Sequence, residues 1–151
     1  MALLFLLAGG GASAGEIPIR LTPADIDALA KVGPGAGTSG VAGIQSIVLS
    51  GDPTKQGPYT IEIRVPAHTR IAAHSHRDDR SAIVVSGQWS LGYGDRASDA
   101  AFKLLSPGSF YTEPAGANHF AMTGDEEAIV AISGYGPTST DYVEATNVPR
   151  R

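Results

Sequence analysis

The chain has no cysteine among its 151 residues. Disulfides are therefore excluded, and an exported form has to hold together by burial alone. The same absence restricts any metal site to histidine and carboxylate ligands. Charge is scarce as well: charged residues make up 17 % of the chain, the net charge is -4, and Lys and Arg nowhere cluster. Phosphate binding needs a basic patch, so nucleic acid is excluded as a partner and a small soluble ligand is the default. Long apolar runs are also lacking. The one at the N-terminus, Ala2 to Ala8, is too short to span a bilayer, which favours export over anchoring.

Met1 to Gly15 carry no charge, and the apolar run is followed by small residues and Ala12-Ser13-Ala14. An apolar stretch ending in such a site reads as a secretory signal cleaved after Ala14, although no basic residue precedes it. The expected location is periplasmic or secreted; the alternative is an apolar N-terminal strand.

What the chain does have is glycine and proline, 19 and 10 of them. In a chain of one-domain size this suits short strands joined by tight turns better than a helical bundle. Thr22 followed by Pro23 predicts a helix start, with Thr22 as N-cap and a short run to Lys31. Gly33 to Gly43 reads as a loop. Strands are expected at 44–49, 59–65, 71–76, 81–86, 88–93, 110–113, 119–123 and 128–133. In the second of these, Ile61, Ile63 and Val65 share one face while Glu62 and Arg64 take the other. Strands of this length with turn signals between them point to a sandwich or closed barrel.

Only four histidines occur, at positions 68, 74, 76 and 119. His74 and His76 stand two apart, so on a strand they point the same way and can present two imidazoles to one ion. Imidazole suits zinc, iron, manganese, nickel and copper. Taken alone, such a pair is common on protein surfaces.

The surrounding residues make it specific. His74 and His76 are followed by Arg80 and Gly87, and farther on stand Gly108, Pro114, Gly116 and His119. This arrangement resembles the two motifs of the cupin superfamily over about Gln45 to Ser133. The departures are His68 where glycine is usual, Arg80 where a metal-binding glutamate is usual, and Thr123 where asparagine is usual. The resemblance implies an all-β fold, a single jelly-roll barrel with a short N-terminal helix. Together with the signal and helix read from the residues, it divides the chain into a signal (1–14), an arm with the helix (15–43), the barrel (44–135) and a tail (136–151). It also implies one divalent transition metal ion held by His74, His76 and His119.

Arginine cannot ligate a cation, because its guanidinium stays protonated. The site therefore resembles the three-histidine cupins, which include thiol and diketone dioxygenases. Arg80 either turns outward to pair with Asp78 or Asp79, or faces the cavity and binds substrate through its forked donors. Glu113 precedes the motif proline at a position that is usually apolar and inward-facing in cupins. A carboxylate there costs several kcal/mol unless paired or metal-bound. It is expected to compensate for the lost glutamate as a fourth ligand, a partner for Arg80 or a general base; the alternative is a solvated rim residue. Glu113 and Arg80 are thus the catalytic candidates, and Tyr111 and Trp89 the substrate-binding ones, although Trp89, Leu91 and Tyr93 also read as core. The polar tail from Gly134 either covers the barrel mouth or pairs with a second subunit, giving a homodimer.

These features lead to an expected metal-dependent oxidoreductase, dioxygenase-like or oxidative, acting on a small organic or saccharide substrate. The alternatives are a metal-dependent lyase or isomerase, and a binding protein without turnover. Export is tested by sequencing the N-terminus of the chain recovered outside the cytoplasm. A start at Gly15 is expected, and a recovered chain that retains Met1 contradicts the signal.

Overall fold

Thr22 opens a helix in the way its neighbours predict. In the computed structural model, which describes residues 17 to 150, helix α1 spans Pro23–Ala28. The expected signal segment lies outside the described residues. The Thr22 hydroxyl oxygen accepts the Asp25 N–H, and the Asp25 carboxylate accepts the Thr22 N–H, which closes a capping box. The helix ends short of Lys31 because Leu29 leaves in extended conformation. With six residues and no buried side chain, it has neither the length nor the apolar stripe to run farther. No helix among the described residues is long and apolar enough to cross a membrane.

Ten strands follow among the described residues: β1 (Gln45–Gly51), β2 (Gly57–Val65), β3 (Arg70–Ser75), β4 (Arg80–Ser86), β5 (Trp89–Tyr93), β6 (Lys103–Leu105), β7 (Phe110–Glu113), β8 (His119–Thr123), β9 (Ala128–Gly136) and β10 (Asp141–Tyr142). They form two five-stranded antiparallel sheets in the orders β1-β2-β9-β4-β7 and β10-β3-β8-β5-β6. Ile61, Val65, Ala82, Val84, Val130 and Ile132 of the first sheet pack against Ile71, Trp89, Leu91 and Ala121 of the second. Each such aliphatic or aromatic side chain contributes about 1.5–3 kcal/mol on burial.

This is a jelly roll, as the motifs imply, but its hydrogen-bond ladder does not close into a barrel. The strands at the sheet ends pair on one side only. Near the histidine end a side chain bridges the gap: Tyr93 of β5 donates through its hydroxyl to the carbonyl of Thr112 on β7 at 2.7 Å. Tyr93 is therefore half exposed at the rim, while Trp89 and Leu91 of the same strand are core.

The alternation in β2 holds, with Ile61, Ile63 and Val65 buried. Glu62 on the opposite face is also buried, because Arg64 and α1 lie over it. Arg64 pairs with both Glu62 and Asp27. β6 and β10 are additions to the expected set, and β9 runs on to Gly136. β10 gives the tail its place: Tyr142 pairs with His74 and Asp141 with Ser75, so the tail lies along β3 of its own chain.

Candidate metal centre

Register places the site. Across the second sheet Tyr142 pairs with His74, His74 with His119, and His119 with Tyr93. Four strands thus carry a single row of rings. Across the first sheet, the directly opposed pair Arg80 and Glu113 joins β4 to β7. His76 lies one residue beyond β3. The imidazole of His76 is 5.0 Å from that of His74 and 5.1 Å from that of His119, with 4.4 Å between the other two.

All three histidines are buried. One ligand atom from each lies within 4.8 Å of the others. The Nδ1 of His74 meets the Ala72 carbonyl at 2.8 Å, that of His119 the Ala117 carbonyl at 3.2 Å, and that of His76 the Ser139 carbonyl at 2.6 Å. A carbonyl oxygen only accepts, so each Nδ1 carries the proton and donates it, leaving each neutral ring a bare lone pair on Nε2. Burial pushes the His74 imidazole down to about 4, with His119 adding to the effect. His119 is likewise held at about 4, first by burial and then by Arg80. His76 falls to about 2, again from burial first and from Arg80 second. The rings are therefore neutral at neutral pH.

Glu113 stands beside the triad. It is 4 % exposed, so the rim position is excluded. Its Oε2 lies 2.9 Å from the Nε of Arg80 and 3.5 Å from the Nε2 of His76, and its Oε1 lies 3.7 Å from the Nε2 of His119. Two unprotonated nitrogens and a carboxylate facing one another repel, and a cation among them removes the conflict. The donor set therefore fits a divalent transition metal ion. The three histidines would hold it, with the Glu113 carboxylate alongside.

Arg80 is buried and turned inward, so the outward pairing with Asp78 or Asp79 does not occur. Asp78 instead accepts from Tyr59 and Thr138, and Asp79 accepts the Ala115 N–H. The Arg80–Glu113 contact is an ion pair without hydrogen-bond alignment. Nε and Nη1 of Arg80, Oε2 of Glu113, the Tyr111 hydroxyl and the Trp89 indole nitrogen are all buried without a hydrogen-bond partner among the described residues. Burial pushes the Tyr111 phenol well up, and the Glu113 carboxylate pushes it the same way. Trp89 is core and not a platform at the mouth, with its N–H left over. His68, to which the sequence gives no role, is exposed beside Asp125 and away from the triad.

Sequence reasoning missed Ser139, Thr140 and Tyr142. Thr140 Oγ1 is 3.4 Å from the Nδ1 of His76, and the Tyr142 ring lies 5.3 Å from the His74 ring. Their only signal was a polar tail, which carries no register.

No protein-family model and no curated protein matches the chain. Solved structures do. The polyketide cyclase RemF from Streptomyces resistomycificus aligns at a TM-score of 0.66 and 18% identity, over 88% of this chain and 90% of that one. An RmlC-like cupin from Shewanella frigidimarina gives 0.58 and 15%, over 80% and 92%. A sugar phosphate isomerase of the cupin superfamily from Silicibacter pomeroyi gives 0.56 and 17%, over 82% and 98%. The chain also matches a DMSP lyase structure, of which it spans 48%. The chain has the cupin fold, and its three motif histidines form one buried cluster.

Elemental analysis checks the cluster. The purified protein is expected to carry about one equivalent of a first-row transition metal, and His76→Ala less than about a tenth of that. Equal metal content in the two proteins contradicts the site.

Proposed function

We propose that the chain is a metal-dependent enzyme that moves a proton on a small oxygen-bearing substrate, a lyase- or isomerase-type reaction. The observation that carries this reading is Glu113: a buried carboxylate whose Oε2 has no hydrogen-bond partner, set against Arg80 and two Nε2 atoms. Replacing a buried ion pair by apolar residues of equal volume is often neutral or stabilising by about 1–4 kcal/mol. Stability therefore gives no reason for a charged pair here, and chemistry does.

A divalent ion on the triad supplies Lewis acidity, which polarises a substrate carbonyl or hydroxyl oxygen. Glu113 takes the proton at Oε2, where a lone pair is free, and returns it at the neighbouring atom of the substrate. Arg80 provides the counter-charge for the carboxylate in this dry interior. Nη1 of Arg80 and the Tyr111 hydroxyl are donors left over for a substrate oxygen, and the Trp89 N–H lies deeper as a third. These donors favour a substrate carrying a carboxylate or a second carbonyl.

An oxidoreductase was expected from three neutral ligands that leave the ion open positions. Glu113 brings a carboxylate back on the strand next to the one that lost it, and so favours proton transfer. A cyclase, an isomerase and lyases share this fold, so the scaffold accommodates such chemistry.

The reading is tested by proton NMR in D2O with a panel of small hydroxy- and keto-acids, run beside an oxygen electrode. Metal-dependent exchange or isomerisation without oxygen uptake is expected. Glu113→Gln should keep its metal while the rate falls about 100-fold or more. Substrate-dependent oxygen consumption, or undiminished turnover in Glu113→Gln, overturns the proposal.

A further inference from the structure

We infer that residues 138–142, the strap after β9, are a built part of the metal centre, and that Thr138 and Asp78 are positioning residues for His76. The inference rests on the metal-binding reading of the triad.

The three histidines are not anchored alike. His74 and His119 donate to carbonyls two residues back in their own strand segments, at Ala72 and Ala117. Local backbone geometry fixes those rings. His76 lies beyond the end of β3 and donates to Ser139, 63 residues away in sequence. Its tautomer and tilt depend on where the strap holds that carbonyl. A ligating histidine needs this kind of partner, because the bond at one nitrogen decides which nitrogen is free for the metal.

The strap is fixed on both sides of Ser139. Before it, the Thr138 N–H donates to the Pro53 carbonyl at 2.9 Å, and the Thr138 hydroxyl donates to Oδ1 of Asp78 at 2.6 Å. The other oxygen of Asp78 accepts the Tyr59 hydroxyl at 2.7 Å, so both oxygens of this buried carboxylate are engaged. Gly134 makes room for that bond: a Cβ there would come within 2.5 Å of Asp78 and 2.6 Å of the Tyr59 hydroxyl oxygen. After it, the Thr140 hydroxyl donates to the Thr38 carbonyl at 2.7 Å and the Tyr142 hydroxyl to the Ser39 carbonyl at 2.8 Å. β10 then runs along His74 and Ser75. A tail that merely covered the fold would not need the Ser139 carbonyl held from both directions.

The expected behaviour follows from Thr138. Thr138→Val keeps the shape and removes the hydroxyl donor, which leaves Oδ1 of Asp78 unsatisfied and the Ser139 carbonyl less constrained. Titration of the metal-free protein with Co2+, followed by visible absorption, should show about 10-fold weaker binding or worse and an altered cobalt spectrum. Thr138→Ser restores the donor and should restore both. Wild-type affinity in Thr138→Val, or a Thr138→Ser protein as impaired as Thr138→Val, overturns the inference. A second measurement needs no variant: nitrogen-15 NMR of the metal-free wild type should show His76 protonated on Nδ1. A proton on Nε2 instead means that the strap does not set the ring and also overturns the inference. A wild type that binds no cobalt contradicts the metal reading, and the nitrogen spectrum still decides the role of the strap.

Discussion

A backbone carbonyl accepts hydrogen bonds and never donates them, and the interior of this protein depends on that asymmetry. Each of three buried imidazoles meets a carbonyl at Nδ1. The three proton positions are thereby fixed, and three Nε2 lone pairs are left in a space from which water is largely excluded. Protonating a ring to relieve the convergence is disfavoured by burial, and the Arg80 guanidinium works in the same direction. A metal ion is the occupant that such a donor set suits.

The sheets serve this arrangement through register. A one-residue slip in an antiparallel sheet moves every side chain to the other face. The pairing of His74 with His119, and of Arg80 with Glu113, is therefore what brings triad and ion pair into contact. The apolar layer below, from Tyr111 and Ala82 down to Val84 and Val130, holds that register by burial. Because β4 and β7 are neighbours, a carboxylate lost from one strand can be supplied by the other. Arginine on β4 and glutamate on β7 keep one acid near the histidines and add its counter-ion.

Much of this was legible in the sequence. The histidine spacing, together with Gly87, Gly108, Pro114 and Gly116, carried the resemblance to cupins, and that resemblance implied both the fold and the triad. Gly87 and Gly116 have positive φ, the turn conformation that favours glycine. An inward Glu113 was expected from the cupin pattern with a solvated rim position as the alternative, and its burial decides between them. The direction of Arg80 was left open, because arginine is at home both in solvent and in a buried ion pair, and only the opposed Glu113 decides between them. The tail was illegible for a different reason. A two-residue strand has no periodicity, and Ser139 acts through its carbonyl, which every residue possesses. The open ladder likewise cannot be read from strand count, since it turns on whether edge strands meet.

The central claim, a metal ion held by three imidazoles and by no fewer, is tested most directly by X-ray absorption at the metal edge of the loaded protein. Multiple scattering from imidazole rings counts the histidine ligands without reference to activity. Three rings are the predicted result. Two or fewer, with oxygen ligands making up the remainder, would contradict the account and remove the reason given for the fixed tautomers.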